Sequence, residues 1–472
     1  MRSRLSFPWL ALRSMWLNAR FYLPYLLSCA LIVALHYDIQ FLNMNTGTDL
    51  LPGASSVHGL LSVVVLAVDF FSIFLFVYTN SFLMKRRERE LGLYSILGME
   101  RRHLRKLLRW ETLFAGVISI GGGLLLGIGF SQLFVLLFRA VMQTDVALGF
   151  EVPKLAILYT AFVYGLMVLM NLVTNLVRVS FVRPIVLFHT TDVGDREPRT
   201  RRLVAIVGVM ALGLGYSISF FDNPLENLGL FLLAVLLVIV ATYCLFSSAS
   251  IAILKRLRAN ASYYYQLRHF FPVANTHHRM RRNATGLATI CVLSTMALVT
   301  ASTTFGMYVG AGVGAAWGNT QEGRALVSAY FFVGLFLSIL FLMACALIVY
   351  YKQVSEGYED APCFATMQQV GMSDDEVDLV VHGENSLAFL PPLAMAACHT
   401  LAALPITSRI LLAFGITNMG LVLSCTALTL LVYGALYLIA FRIASRTYRR
   451  IVAWPAADAA RRGYRTGRAV ER

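Results

Sequence analysis

Apolar and polar positions along this chain alternate in blocks of tens of residues. Apolar runs of about twenty residues recur along its whole length, each long enough as a helix to cross a hydrocarbon core of roughly 30 Å. Ten such runs fall at 22–42, 58–84, 111–140, 154–177, 203–221, 228–254, 285–312, 326–351, 386–406 and 416–441, the fifth diluted by Gly208, Gly213 and Gly215. The pattern predicts an all-α integral membrane protein with ten transmembrane helices.

Composition agrees. Of 472 residues, 58% are hydrophobic and 14% charged, with a mean hydropathy of +0.68; a soluble domain carries about 25% charged residues. The net charge of +15 would suit nucleic acid, but the cations sort by connection. They crowd Arg2 to Arg20, Lys85 to Arg109, Arg178 to Arg202, Lys255 to Arg282 and Arg442 to Arg472, and are absent from 43–57 and 222–227. This positive-inside asymmetry predicts a multi-pass protein with both termini cytoplasmic. It makes the surplus charge a topology signal, with no nucleic-acid partner. The basic tail 443–472, with Arg449-Arg450 and Arg461-Arg462, reads as solvated, or as touching anionic lipid headgroups. The start of the chain reads as a retained first helix. Seven cysteines without paired spacing indicate neither a disulfide framework nor a zinc site.

A self-similarity links the connection after the second span to that after the eighth, at a constant offset of 273 residues. Leu91, Tyr94, Leu97, Gly98 and Met99 match Phe364, Met367, Val370, Gly371 and Met372, and Leu104, Leu107, Leu108 and Glu111 match Val377, Val380, Val381 and Glu384. Residues three apart form an apolar stripe. The glycine suits a left-handed helix end, and a second stripe follows, so each connection reads as helix, Gly-Met break, helix. Ser373 with Glu376 forms a plausible capping box. The repeat predicts two four-helix units joined by a two-helix linker: 1–180 with loop 85–111, linker 181–283, 284–442 with loop 352–385, and the tail. Such duplicated bundles are common among transporters.

The stretch Asn80 to Glu111, with Lys85-Arg86-Arg87-Glu88-Arg89-Glu90 and Leu97-Gly98-Met99, resembles the signature of FtsX-like permeases, in particular the ten-span Bce type. The segments His278 to Met296 and Tyr350 to Asp360 resemble the same group. The resemblance implies the permease of an ABC system that works with a separate ATPase, which carries the ATP and Mg. It also implies, in many cases, a membrane histidine kinase, in sensing of and resistance to cell-wall-active peptides at the bacterial cell membrane. It further implies that Glu90 to Glu111 and Asp360 to Glu384 dock the ATPase, in two copies if each loop enters an equivalent cleft. The Bce type carries a large extracellular domain between spans seven and eight, where this chain has only a short connection near Ala315 to Ala325, so peptide specificity does not carry over.

No G-x-x-x-x-G-K-[ST] loop occurs, so no nucleotide cofactor and no catalytic residue is assigned to this chain. Gly121, Gly122, Gly123, Gly127 and Gly129 lie within an apolar span and serve packing, as does the Gly306, Gly310, Gly314 series. His277-His278 lacks a spaced third ligand and does not indicate a metal. The two loops differ in charge: 85–111 holds nine basic and four acidic side chains, 352–384 one basic and eight acidic. A second partner for the later loop, a kinase or a distinct ATPase surface, is one explanation.

Asp69, mid-span, is an intramembrane functional candidate or a packing hydrogen bond. His36 and Asp38 are expected to face water at the outer end of the first span. Arg139, Lys154, Arg324 and Arg409 either contact a lipid headgroup at the outer leaflet or snorkel to the interface. The reading is an ABC permease moving or dislodging an amphiphile, an antimicrobial peptide or lipid-linked molecule. The alternatives are a signalling scaffold for a sensor kinase, a split system whose outer domain is another chain, and a secondary transporter.

Overall fold

A computed structural model describes residues 7–50, 53–142, 152–181, 202–223, 226–313 and 320–470. Side chains at 20, 85–86, 89, 181, 249–250, 263, 267–269, 271–283 and 454–470 lie outside that description. The readings of His277-His278, Gly314 and Arg461-Arg462 therefore fall outside it. The described residues form helices and no strand, and ten helices are long and apolar enough to cross a membrane. The protein is an all-α, multi-pass membrane protein.

The chain packs as two compact units, Met1–Gly194 with Trp317–Phe336, and Asp195–Ala316 with Leu337–Arg472. The first holds α1 (Phe7–Leu17), α2 (Ala19–Asn43), α3 (Ala54–Ile96), α4 (Arg101–Met142) and α5 (Lys154–Phe181). The second holds α6 (Arg202–Phe221), α7 (Leu228–Cys244), α8 (Ser250–Ala259), α9 (Ala261–Tyr264), α10 (Leu267–Gly312), most of α11 (Gln321–Gln369), α12 (Asp374–Ala413) and α13 (Met419–Val470), with a π-helical turn at Leu245–Ala249.

The helices bracketing the repeated connections are far longer than a bilayer requires. The 43 residues of α3 make a rod of about 64 Å at 1.5 Å per residue, twice the hydrocarbon thickness. The first arm of each connection is thus the unbroken continuation of a membrane helix, not a separate helix in a loop.

Within the first unit, α2 packs along α4 and also meets α3 and α5; within the second, α10 packs along α12 and meets α13. Glycine permits the closest approaches. A Cβ on Gly123 would stand 2.5 Å from Val33 Cβ, and one on Gly127 2.8 Å from the Tyr37 ring, so only these two of the α4 glycines serve the α2 contact; Gly121, Gly122 and Gly129 have nothing nearby. A Cβ on Gly310 would meet Ile416 at 2.6 Å. Gly208 and Gly215, which dilute the fifth apolar run, are where α6 lies against α7: added Cβ atoms would meet Cys244 and Val238, each at 2.9 Å. α6 also packs on α12 and α7 on α10, inside the second unit.

Gly123→Val is expected to cost about 1–3 kcal/mol by overpacking the α2–α4 contact. Gly121→Val, two residues away in the same helix with no atom within 4 Å, is expected to be near neutral. Thermal unfolding of the two variants in mild detergent checks the pair, and equal melting temperatures would contradict the packing.

Candidate functional site

The two repeated connections fold alike, bond for bond. At the end of α3, Gly98 takes φ +91°; the Met99 N–H donates to the Tyr94 carbonyl (2.9 Å) and the Gly98 N–H to that of Ser95 (3.2 Å). At the end of α11, Gly371 takes φ +115°; the Met372 N–H donates to the Met367 carbonyl and the Gly371 N–H to that of Gln368, both at 3.1 Å. Both are Schellman closures, in which a residue at positive φ lets the last carbonyls of a helix find donors. The next helix starts three residues after each glycine. In the second copy the expected capping box is present: the Glu376 N–H donates to Ser373 Oγ (3.3 Å) and the Ser373 N–H to Glu376 Oε2 (2.9 Å).

The apolar stripes close on each other. Leu91, Leu104 and Leu108 form a buried cluster with Met84, against Tyr94, Met99 and Val179 of α5. Phe364, Val377, Val380 and Val381 form one with Tyr448 and Val452 of α13, against Met367 and Met372. Val179 and Val452 obey the same 273-residue offset, so the fourth helix of each set braces its elbow at an equivalent position. Leu107 is buried too. These side chains hold the elbow in shape. What each elbow offers outward is its tip: Leu93, Ile96 and Leu97 are 48%, 65% and 74% exposed, and Val370 is 84% exposed.

Polar groups at the base of each elbow complete the site. Glu111 is 2% exposed and accepts from Tyr22 Oη at 3.0 Å. The Arg87 guanidinium, equally buried, donates to both Glu111 and Glu90, and Asn18 Nδ2 donates to Glu90 at 3.1 Å. Burial alone would depress the Arg87 pKa, but Tyr22, Glu111 and Glu90 outweigh it and hold it above the ordinary arginine value. At the equivalent positions of the second elbow, Asp360 stands for Arg87 while Glu384 stands for Glu111. Tyr448 Oη donates to Asp360 Oδ2 at 2.7 Å and lies 3.5 Å from Glu384 Oε2.

Two turns back along α3 from Arg87, Asn80 exchanges side-chain hydrogen bonds with Asn175 (2.9 and 3.1 Å), and Asn175 Nδ2 donates to Thr112 Oγ1 at 3.3 Å. At the positions of Asn80 and Thr112 the second unit has Gln353 and Asn385, joined by a 2.9 Å bond. Arg87, Asp360, Tyr448 and these amides escaped the sequence comparison because it sought like residues; the constant offset, applied to unlike ones, would have found them.

The intramembrane candidates settle differently. His36 and Asp38, expected to face water, are buried, at 0% and 3% exposure. Asp69 Oδ1 lies 2.8 Å from His36 Nε2, Tyr159 Oη donates to Asp69 Oδ2 at 3.0 Å, and His36 Nδ1 is 3.1 Å from Thr160 Oγ1. Asp69 thus ties α3 to α2 and α5, and the His36 ring is enclosed between Tyr159 and Tyr164 as well. Arg139 sits half-buried in the last turn of α4, while Lys154 and Arg324 are exposed near the starts of α5 and α11. Arg409 of α12 turns its guanidinium onto the carbonyls of Ser219, Phe220 and Asp222, closing the C-terminal end of α6. In the second unit, an apolar pocket of about 230 Å³ between α6, α7, α10 and α12 has a polar corner where His399 meets Tyr216 Oη (2.6 Å) and Thr242 Oγ1 (3.0 Å).

Replacing Arg87 by Ala would leave Glu111 buried without its counter-charge, an expected loss of about 3–5 kcal/mol. Adding Glu111→Gln is expected to recover part of it. Melting temperatures of the single and double variants test this, and an additive double variant would show that the two groups do not interact.

Residues 61–180 match the family model of the FtsX-like permease C-terminal region. The chain is 23% identical over 295 residues to the uncharacterized ABC transporter permease YvcS of Bacillus subtilis (strain 168), covering 62% of this chain and 45% of that protein. It is 24% identical over 304 residues to the bacitracin export permease protein BceB of Halalkalibacterium halodurans, covering 61% and 46%. It is 29% identical over 239 residues to the ABC transporter permease protein YxdM of Bacillus subtilis, covering 50% and 37%. The aligned part is less than half the length of each of these curated relatives.

Proposed function

We propose, from the premise that residues 61–180 are an FtsX-like permease domain, that this chain is the permease subunit of an ABC transporter, driven through its two elbows by a separate ATPase. The observation that carries the reading is the pair of matching Gly-Met breaks, each with its own packed core and exposed apolar tip, and each feeding a long membrane helix. An elbow braced from within transmits force without deforming, because packed cores resist continuous deformation. On the orientation that the positive-inside pattern favours, both elbows are cytoplasmic, where an ATPase carrying ATP and Mg would reach them.

The cargo side of the reading is an amphiphile. A pocket that is apolar but for one His-Tyr-Thr corner suits a molecule with a long hydrocarbon portion. Two relatives' names mention bacitracin export, which supports a peptide antibiotic or a lipid-linked molecule as the class. One observation favours a second partner, a kinase or a non-identical ATPase surface: the opposite charges of the two elbows extend even to the buried Arg87 and Asp360 positions.

Leu97→Asp and Val370→Asp, at the exposed tips, are each expected to reduce co-purification of an ABC ATPase by roughly tenfold or more, as for an interface anchor, without lowering the melting temperature. Unchanged ATPase recovery in the double variant would defeat the proposal. Loss of different partners from the two single variants would favour the two-partner reading.

A further inference from the structure

A cationic groove lies beside the first elbow, at the foot of the membrane-spanning part of α4. Arg102, Arg105, Lys106 and Arg109 occupy positions i, i+3, i+4 and i+7, one face of that helix, and are all exposed. With Leu176, Val177 and Ser180 of α5 they line a groove of about 400 Å³. Arg102 pairs with Glu100, and Lys106 lies over the Phe7 ring at 5.8 Å. Among the described residues, no carboxylate lies within ion-pair distance of Arg105 or Arg109. Four cations converge there, and among the described residues Glu100 is the carboxylate that pairs with one of them.

The second unit shows what this position looks like when the protein fills it. At the 273-residue offset, the four cations are replaced by Asp375, Asp378, Leu379 and His382, and Leu176 by Arg449. Arg449 pairs with Asp378 across the equivalent gap between α12 and α13. The first unit keeps the gap but lines it with cations, of which Arg105 and Arg109 have no carboxylate within ion-pair distance among the described residues.

We propose that this groove binds the phosphate headgroup of an anionic phospholipid from the leaflet on the elbow side of the membrane. The charge complementarity is direct: arginines present paired donors to phosphate oxygens, and basic pockets at the foot of membrane helices take anionic headgroups. The surroundings favour lipid over an acidic protein surface. Leu176 and Val177 belong to a membrane-spanning helix, and Val177 is 49% exposed, so an acyl chain has an apolar wall directly below the headgroup. Trp110, 38% exposed and stacked on Phe114 at 5.6 Å, is next to Arg109 in sequence and is of the residue type enriched at membrane interfaces. The exposed tip residues that would meet a motor, Ile96 and Leu97, lie on the other side of the glycine break. The inference stands apart from the transport reading, since it requires only a membrane.

The test is native mass spectrometry of the full chain in mild detergent, titrated with dioleoylphosphatidylglycerol, dioleoylphosphatidylcholine or inorganic phosphate. The wild type is expected to retain phosphatidylglycerol in preference to the other two. Arg105→Gln with Arg109→Gln is expected to weaken that binding by about 25-fold, at roughly fivefold per cation lost. Arg105→Lys with Arg109→Lys keeps the charge and is expected to retain most of the binding, which separates a lost site from a lost fold. Arg442→Gln with Arg446→Gln, removing equal charge from exposed positions on α13, is expected to change nothing. Undiminished phosphatidylglycerol binding in the Gln pair, or an equal loss in the α13 pair, overturns the proposal. So does a Gln pair that loses ATPase co-purification while keeping the lipid, because the groove would then belong to a protein partner.

Discussion

A membrane helix that must reverse direction in a few residues has to find donors for its last carbonyls, and in this protein that requirement is met the same way twice. Gly98 and Gly371 adopt positive φ, the N–H of each glycine and that of the methionine after it turn back onto the helix end, and the next helix begins three residues later. With a Cβ at those positions the chain would be strained by about 1–2 kcal/mol, and the closure would compete with fraying. Because the turn is short and fully bonded, the stripes on its two arms are brought face to face, and the buried clusters around Leu91 and Phe364 follow from the turn geometry.

The duplication preserves shape and lets polarity diverge. Apolar positions answer each other through the elbow core and out to Val179 and Val452, whereas some charged positions invert, Arg87 against Asp360 and Arg105 against Asp378, while Glu111 and Glu384 stay alike. Burial explains why both are tolerated. Arg87 stands between two carboxylates, so each buried charge has an opposite; Asp360 takes a hydroxyl from Tyr448, which fills the place of Asn175 in the first unit. The partner of Asp360 lies on α13, the fourth helix of its set, whereas the partners of Arg87 lie on its own helix α3 and on α4. A constraint on packing can therefore coexist with freedom in electrostatics, provided that each buried polar group keeps a partner. The outward consequence is two elbows with a common scaffold and opposite fields, a basis for engaging unlike surfaces.

Inside the apolar spans the polar groups join helices. Asp69 meets His36 and Tyr159, His399 meets Tyr216 and Thr242, and Arg409 closes the end of α6. In hydrocarbon an unbonded polar atom costs more than in water, so such groups sit where a neighbouring helix supplies a partner. The glycines do the complementary work, setting which helix faces come closest, at Gly123 and Gly127 against α2 and at Gly310 against Ile416.

Hydropathy and periodicity were enough to determine the all-helical membrane class, the ten spans, the repeat with its glycine breaks and the Ser373 capping box, because each is a local property: the length of an apolar run, a spacing of three or four, a residue type that tolerates positive φ. Tertiary structure alone decided which glycine faces a helix and which faces open space, that His36 and Asp38 are inside, that Arg409 is turned onto carbonyls, and that Arg87 and Glu111 share one buried site. Those outcomes depend on the rotation of each helix about its axis and on residues tens to hundreds of positions away. A sequence of apolar side chains all round a membrane helix carries almost no record of that rotation, since lipid and protein are equally apolar neighbours.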